Sequence, residues 1–392
     1  MANSTNWGKL SVKLHAKWRG KLAVQSKAPL LTRADLSTAY TPGVAEPCLK
    51  IKKNPALAYN YTWKWNSVAV LSNGTRVLGL GNIGALAGLP VMEGKAILFK
   101  KFANIDAVPL CVNANSVEEM VAIGKAIAPT FGGINLEDIS VPECFEIEDQ
   151  LVKALDIPVF HDDQHGTAIV TLAALLNSLN ATNREIKNAR IVCNGVGAAG
   201  SAIVKALHNA GARNIIAFDS SSALSSNRSD IKNSYKKDLL PFVKNFNGNL
   251  QSALDGADVF VGTSKPNLLN RAMVGKMAGD SVVIALSNPF PEIEPREARA
   301  GGAKIVCTGR SDYANQVNNV LAFPGIFRGA LDARAKKITA GMKKSAAYAL
   351  ASLVSEKELN KGIVIPSPFD KRVVKAIAKA VAAQARREKV TR

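Results

Sequence analysis

The sequence predicts an α/β protein in two units, a mixed α/β unit over residues 1–162 and a doubly wound parallel sheet with C-terminal helices over residues 163–392. Three observations carry this prediction. From Arg190 onward, short apolar runs alternate with helix-length amphipathic stretches, the pattern of a parallel sheet whose strands are joined by helices. One such repeat, Arg190-Ile-Val-Cys-Asn194 running into Gly195-Val-Gly197-Ala-Ala-Gly200, places glycines where a strand turns sharply into a helix. Before Asp163 the texture differs: Pro and Gly punctuate at Thr41-Pro42-Gly43, Ser72-Asn73-Gly74 and Phe131-Gly132-Gly133, with no evident repeat.

In the first unit, Ser67 to Leu71 and Ala96 to Phe99 read as strands, and Val117 to Ala128 reads as a helix because Val117, Met120, Val121, Ile123, Ala126 and Ile127 recur at helical spacing. The acid-free stretch around Lys9, Lys13, Lys17, Arg19 and Lys21 reads as a solvated first helix. In the second unit, Gly166 to Leu179 reads as a helix. A strand to Asn194, a helix through Ala210 and a strand from Asn214 to Phe218 then make a complete βαβ repeat ending in Asp219. Ala257 to Gly262, Ser281 to Leu286 and Lys304 to Cys307 are further strands. The last sixty residues are helical and basic, broken at Ile365-Pro-Ser-Pro368 before an amphipathic helix from about Asp370 to Arg387.

Composition narrows the function. The 392-residue chain is 47% hydrophobic, too apolar for a disordered basic tail, and its net charge of +19 raises polyanionic partners. The charge sits at the ends: residues 1–30 carry six basic and no acidic side chains, residues 331–392 carry fifteen and five, and the body between is nearly neutral at +3. A nucleic-acid or anionic-surface binder should interleave basic with aromatic residues, yet Tyr348 and Phe369 are the aromatic residues of that basic C-terminal stretch. Neither nucleic acid nor membrane is therefore expected as a partner. Five cysteines with no CxxC pair argue against a disulfide framework and a structural zinc site, and favour a reducing compartment, with the cytoplasm as the expected location. No apolar run approaches the ~18 residues of a membrane span.

Two motifs carry chemistry. In the glycine-rich turn, Gly195 permits the tight turn, Gly197 lets backbone N–H groups approach a pyrophosphate, and Gly200 allows close helix–sheet packing, so the second unit is expected to bind a dinucleotide. Asp219 is placed to accept from a ribose 2′-hydroxyl, which leans toward NAD, but Ser220, Ser221, Ser222 and Arg228 keep NADP open. The second motif is a pair of acidic pairs, Glu137-Asp138 and Asp162-Asp163, each following an apolar segment and so expected at the end of a strand. Carboxylates without cysteine describe a site for a hard divalent cation, Mg²⁺ or Mn²⁺. His161 and His165 flank the second pair and raise zinc, although His165 reads better as a residue capping or packing the helix start. Taken alone, the acidic pairs also fit solvated helix N-termini.

Several segments together resemble one family. Tyr40-Thr-Pro-Gly-Val-Ala, Val77-Leu-Gly-Leu-Gly-Asn-Ile-Gly84, Pro90-Val-Met-Glu-Gly-Lys95, Ile134-Asn-Leu-Glu-Asp138, His161-Asp-Asp-Gln-His-Gly-Thr-Ala168, Ser287-Asn-Pro289 and Asn318-Asn-Val-Leu-Ala-Phe-Pro-Gly325 are similar to segments of the malic enzymes, most closely the short bacterial NAD(P)-dependent form, from about residue 15 to 370 and in order. The resemblance implies oxidative decarboxylation of L-malate to pyruvate and CO₂, with decarboxylation of oxaloacetate as an associated activity. It assigns the N-terminal unit to substrate and metal, and the C-terminal unit, a Rossmann domain, to NAD(P). By the family pattern Lys95 is the base for the C2 hydroxyl, Asp162 sits beside it, Glu137, Asp138 and Asp163 hold the metal, and Tyr40 protonates C3 of enolpyruvate. A lysine base requires burial and a neighbouring cation to depress its pKa.

The resemblance also gives Asn288, Asn319 and Arg76 to malate, and Gly195, Gly197, Ala198, Ala199, Gly200, Asp219 and Asn288 to the cofactor. It implies a homodimer, and with it the expectation that the N-terminal arm carries Tyr40 into the partner's site. Thr263-Ser-Lys-Pro-Asn267 departs from the family's glycine-richer turn, and Val196 stands where alanine is usual. Nothing after residue 392 resembles an appended acetyltransferase-like domain, so control by acetyl-CoA through one is not expected. A malolactic reaction, with lactate released and the cofactor retained, would use the same groups.

Overall fold

The computed structural model describes residues 7–392. Two parallel sheets organise them, the second of which the alternating pattern predicts. The first holds β1 (Ser67–Ser72), β2 (Asp106–Cys111), β3 (Gly133–Leu136) and β4 (Val159–His161) in the order β2-β1-β3-β4. β1 and β3 are buried along their whole length, which explains why Ser67 to Leu71 reads as a continuous apolar run rather than an alternating one. β3 and β4 pair with Leu136 opposite His161. That register sets the next residues of each strand, Glu137-Asp138 and Asp162-Asp163, side by side at the carboxyl edge of the sheet, where sites gather in open α/β folds.

The expected strand from Ala96 to Phe99 is instead part of a 20-residue helix, Gly84–Ala103, that connects β1 to β2. Its buried residues Met92, Ala96, Phe99 and Ala103 recur at helical spacing, and the short apolar run within them has the length of a strand only by coincidence. The helix Val117–Ile127 forms as expected, capped by the Ser116 hydroxyl. The helix read from Gly166 begins four residues earlier and spans Asp162–Ala181, with the His161 ring accepting from the Gln164 N–H as its cap. Asp162 and Asp163 thus occupy the first helical turn, where the helix dipole favours negative charge.

The second sheet holds β5 (Arg190–Asn194), β6 (Asn214–Phe218), β7 (Val259–Gly262), β8 (Val282–Ala285) and β9 (Ile305–Thr308), all parallel, in the order β6-β5-β7-β8-β9. Between β5 and the helix Ala198–Ala210, Gly195 adopts φ +98°, and a side chain on Gly200 would overlap the Gly195 carbonyl. At Gly197 a Cβ would meet only the Arg76 guanidinium, at 3.8 Å, so the turn stays open on the side where a pyrophosphate would lie.

The C-terminal helices fold back over the first sheet. Phe323 and Phe327, in the helix Phe323–Asp332, stack against Phe99 at 4.7 and 5.3 Å between ring centres, and Phe327 lies 5.8 Å from Phe160. Gly325 and Gly329 let the final helix, Arg372–Arg387, approach until Ile377 and Val381 fill the space their side chains would take. That helix buries Val373, Ile377, Val381 and Ala385 and turns Lys371, Lys375 and Lys379 to solvent, so its charge is a solvated face. The first described helix, Trp7–Trp18, buries no residue. No helix among the described residues is long and apolar enough to cross a membrane.

Candidate active site

The carboxyl edges of the two sheets face each other across a cleft of about 820 Å³, lined by Lys95 and Arg76 from the first unit and by Asp163, Ala198, Asn288 and Asn319 from the second. At its floor Lys95 projects from the Gly84–Ala103 helix and is 7% exposed. Its Nζ lies 2.6 Å from Asp162 Oδ2 and 2.7 Å from Glu137 Oε1, and 4.3 Å above the Phe323 ring. Burial opposes its charge, but the Asp162 and Glu137 carboxylates outweigh burial and raise its pKa. The expected burial is therefore present, but the expected depression of the pKa is not, because the two carboxylates outweigh burial.

Glu137, Asp138 and Asp163 each present an oxygen within 4.8 Å of the others. Consecutive strand residues point to opposite faces, and the left-handed backbone at Asp138, φ 52°, breaks that alternation. The Asp138 N–H donates to Asp163 Oδ2 at 2.9 Å, tying the two acidic pairs together, and Asn135 donates to Glu137 Oε2 at 2.8 Å. Burial pushes Asp138 up to about 7, with Asp163 adding to it, and pushes Asp162 up to about 6 against the pull of Lys95. Burial likewise raises Glu137 well above the usual carboxylate range. Asp138 Oδ2 and Asp162 Oδ1 are buried without a hydrogen-bond partner. A cluster of buried carboxylates with an orphaned oxygen is what a hard cation would satisfy, so the residues fit a divalent metal.

His165 is not among these groups. Its Nε2 meets Glu148 at 2.8 Å on the far side of the helix, as the packing reading expects. His161 caps that helix, and its Nε2 stays 3.9 Å from Asp163.

Of the other residues singled out in the sequence, Arg76, Asn288 and Asn319 all line the cleft, as do Ala198 and Ala199. Thr263 and Ser264, which begin the departing turn, line it too, and they bond to Gly195 O and Asn194 Oδ1. Val196 is buried in the core. Tyr40 does not reach the cleft: it follows the helix Arg33–Ala39, is 67% exposed and is not among the residues that line the site. Asp219 lies at the end of β6, with Arg228 and Lys236 on its carboxylate.

Two supporting residues escaped the sequence reading. A side chain on Gly166 would overlap Asp162 Oδ1, so the glycine in His161-Asp-Asp-Gln-His-Gly166 makes room for that carboxylate. Glu292, fully buried, accepts from the Ser264 and Ser287 N–H groups at 2.9 and 3.0 Å and ties together two loops that line the cleft. Only the motif spacing hinted at Gly166; nothing local marks Glu292.

Comparison with known proteins decides the family. Residues 164–386 match the model of the malic enzyme NAD-binding domain, and residues 19–117 match that of the malic enzyme N-terminal domain. The chain belongs to the malic enzyme family. It is 52% identical over 381 residues to the bifunctional malic/malolactic enzyme of Bacillus subtilis, covering 97% of this chain and 93% of that one. To the NAD-dependent malic enzyme of Geobacillus stearothermophilus it is 52% identical over 375 residues, 95% of this chain and 78% of that one. It spans about half the length of the NADP-dependent malic enzyme of Haemophilus influenzae, at 49% identity. Among solved structures, the NAD-dependent malic enzyme of Thermotoga maritima superposes with a TM-score of 0.91 at 45% identity, over 95% of this chain and 98% of that one. The cleft of this malic enzyme draws residues from both matched regions, Arg76 and Lys95 from the first and Ala198, Asn288 and Asn319 from the second.

Proposed function

We propose that this malic enzyme converts L-malate to pyruvate and CO₂ with reduction of NAD or NADP in the cleft between its two sheets. One observation carries the reading: a buried lysine held by Asp162 and Glu137 sits beside a carboxylate triad with an orphaned oxygen, facing a glycine-rich dinucleotide turn. Glu137, Asp138 and Asp163 would hold the divalent metal, Mg²⁺ or Mn²⁺. When bound, the metal supplies Lewis acidity toward the substrate's oxygens, and the nicotinamide supplies the hydride acceptor.

The remaining work belongs to the chain. Lys95 first passes a proton to Asp162 Oδ2, 2.6 Å away, and its freed Nζ then takes the proton of the C2 hydroxyl. Phe323 closes the apolar side of the lysine and keeps bulk water from it. Arg76, Asn288 and Asn319 hold the two substrate carboxylates with one cationic and two neutral donors. Protonation at C3 falls to Tyr40. Because Tyr40 is exposed and lies outside its own cleft, we assign it to the site of a partner subunit, in a homodimer completed by the N-terminal arm. Exposed Leu30, Leu31 and Leu36 on that arm support its burial against a second copy.

A second outcome of the same site has specific support, since a 52% identical relative is named a bifunctional malic/malolactic enzyme. The test is to supply malate and Mn²⁺ with NAD and then with NADP, following reduced cofactor by absorbance and assaying both pyruvate and lactate. Pyruvate equal to reduced cofactor supports the proposal. Lactate without net reduction replaces it with the malolactic reaction, and neither product overturns both.

A further inference from the structure

A second cavity, of about 200 Å³, shares no lining residue with the cleft. Three helices enclose it: Asp162–Ala181, Ala198–Ala210 and Ala340–Ala351. Its floor is aliphatic, made by Ala168, Ile169 and Leu172 of the first helix and by Ala202 and Ala206 of the second. The alanines account for the space, because a methyl group leaves a gap between packed helix surfaces that a longer side chain would fill. A cavity of roughly 150 Å³ with aliphatic walls stays dry and holds a benzene ring. The space here suits a body of that size carrying one small polar group.

The lysines on the wall specify that group. No acidic side chain lines the cavity among the described residues. Lys205 is exposed and Lys343 half-buried, and among the described residues neither side chain has a hydrogen-bond or ion-pair partner. Lys344 gives one donor to the Asn209 carbonyl at 3.1 Å and has two more. Burial lowers the Lys343 pKa and Lys205 adds to that, against the pull of Glu148. Glu148 is already engaged, accepting from the His161 N–H, Gln164 Nε2 and His165 Nε2 at 2.9, 3.2 and 2.8 Å. The cavity therefore combines an apolar floor with an excess of positive charge, and an anionic group on its wall would relieve the repulsion between Lys205 and Lys343.

We propose that this cavity is a binding site for a small organic monocarboxylate, with its ring or branched chain on the aliphatic floor and its carboxylate on Lys205 and Lys343. The two requirements act together. A wholly polar anion leaves the floor unfilled, and a neutral apolar molecule leaves the lysines unpaired. A molecule the size of benzoate meets both. Because the cavity and the cleft have no residue in common, its occupant does not compete with malate for a contact.

The test is titration of the full-length protein with benzoate and with benzamide, its neutral counterpart of equal size, followed by the NMR line width of each ligand. Benzoate should bind with a Kd of about 1 mM or below, and benzamide about tenfold more weakly, since it forms no charge-assisted contact. Lys205→Met and Lys343→Met keep an apolar stem and remove the charge. Each should weaken benzoate by about fivefold or more and leave benzamide within about twofold. Ala206→Phe fills the space and should abolish binding of both. Lys205 is exposed, so its replacement leaves the fold undisturbed and decides the matter if another variant fails to fold. Failure of benzoate to bind, binding no tighter than that of benzamide, or binding undiminished by loss of the lysines would overturn the proposal. Undiminished binding to Ala206→Phe would place the ligand elsewhere and overturn it equally.

Discussion

Lys95 Nζ and Asp162 Oδ2 stand 2.6 Å apart, both buried, although 67 residues separate them in the chain. The contact joins the middle of one helix to the first turn of another, and Gly166 leaves the space it needs. A lysine in this position has two carboxylates, Asp162 and Glu137, as proton acceptors and one aromatic wall, an arrangement suited to proton transfer in a site that keeps water out.

Removing either partner should stop the chemistry and spare cofactor binding. Lys95→Ala and Asp162→Asn are each expected to lower kcat by about 10²–10⁴-fold, the usual worth of a positioned acid or base, with the Kd for reduced cofactor within about twofold of wild type. Steady-state rates together with fluorescence titration check this. A parallel fall in cofactor affinity would point to a general collapse of the cleft and sink the assignment.

The carboxylate triad predicts a metal-dependent gain in stability. In wild type, saturating Mn²⁺ should raise the unfolding free energy by about 2–4 kcal/mol at 100 to 1,000 times Kd, seen as a higher Tm. Asp138→Asn removes a buried charge whose Oδ2 has no partner, so the metal-free variant should be as stable as wild type or more so, by up to about 2 kcal/mol. The same variant should lose the Mn²⁺ shift. Calorimetry with and without Mn²⁺ measures both, and an undiminished shift in the variant would exclude Asp138 as a ligand.

Tyr40 offers a test of shared sites. Tyr40→Phe and Lys95→Ala homodimers should each be nearly inactive. After mixing and exchange of subunits, up to about one quarter of wild-type activity should return, since half the dimers are then mixed and each carries one intact site. No recovery, under conditions where mass spectrometry shows mixed dimers, would place Tyr40 outside the partner's chemistry.

Glu148 predicts a pH effect away from the cleft. Burial opposes its charge, but His165 and Lys343 hold it down at about 2, below its ordinary value of 4.5. A folded-state pKa that is depressed contributes stability that is present above about 4.5 and is lost as pH falls toward about 2. Glu148→Gln should cost about 3 kcal/mol at pH 7, where it removes a buried carboxylate hydrogen-bonded to His165 and attracted by Lys343, and the gap from wild type should narrow between pH 5 and 3. Urea unfolding across that range is the measurement, and a gap independent of pH would show that the ionised pair is not what Glu148 contributes.

Some of this was written in local sequence. The alternation of apolar runs and helices predicts the second sheet because each of β5 to β9 is buried and needs a continuous run of apolar residues. The glycine turn is legible because sterics at Gly195 and Gly200 act over a few residues. The two acidic pairs point to a site only together with the family's segments, because taken alone they fit solvated helix N-termini. Their use as one cluster depends on the pairing of Leu136 with His161, which no local signal carries. The helix over Ala96 to Phe99 was misread for the same kind of reason, since four apolar residues suit either period until their partners are known.

Sequence alone therefore determined the fold class, the dinucleotide turn and, through the segments resembling the family, the residues from which the site is built. Tertiary structure decided which charges meet. Lys95 carries no local mark of function in an apolar helix, and becomes distinctive when Asp162, Glu137 and Phe323 close around it. Asp219 reads as a free acceptor until Lys236, 17 residues on, and Arg228 pair with its carboxylate. Tyr40 is given to the site by the family resemblance and lies outside the cleft in its own chain. The physical reason is common to all three: propensity and steric fit act between neighbours in sequence, whereas the charge and reactivity of a side chain depend on groups brought to within a few ångströms by folding.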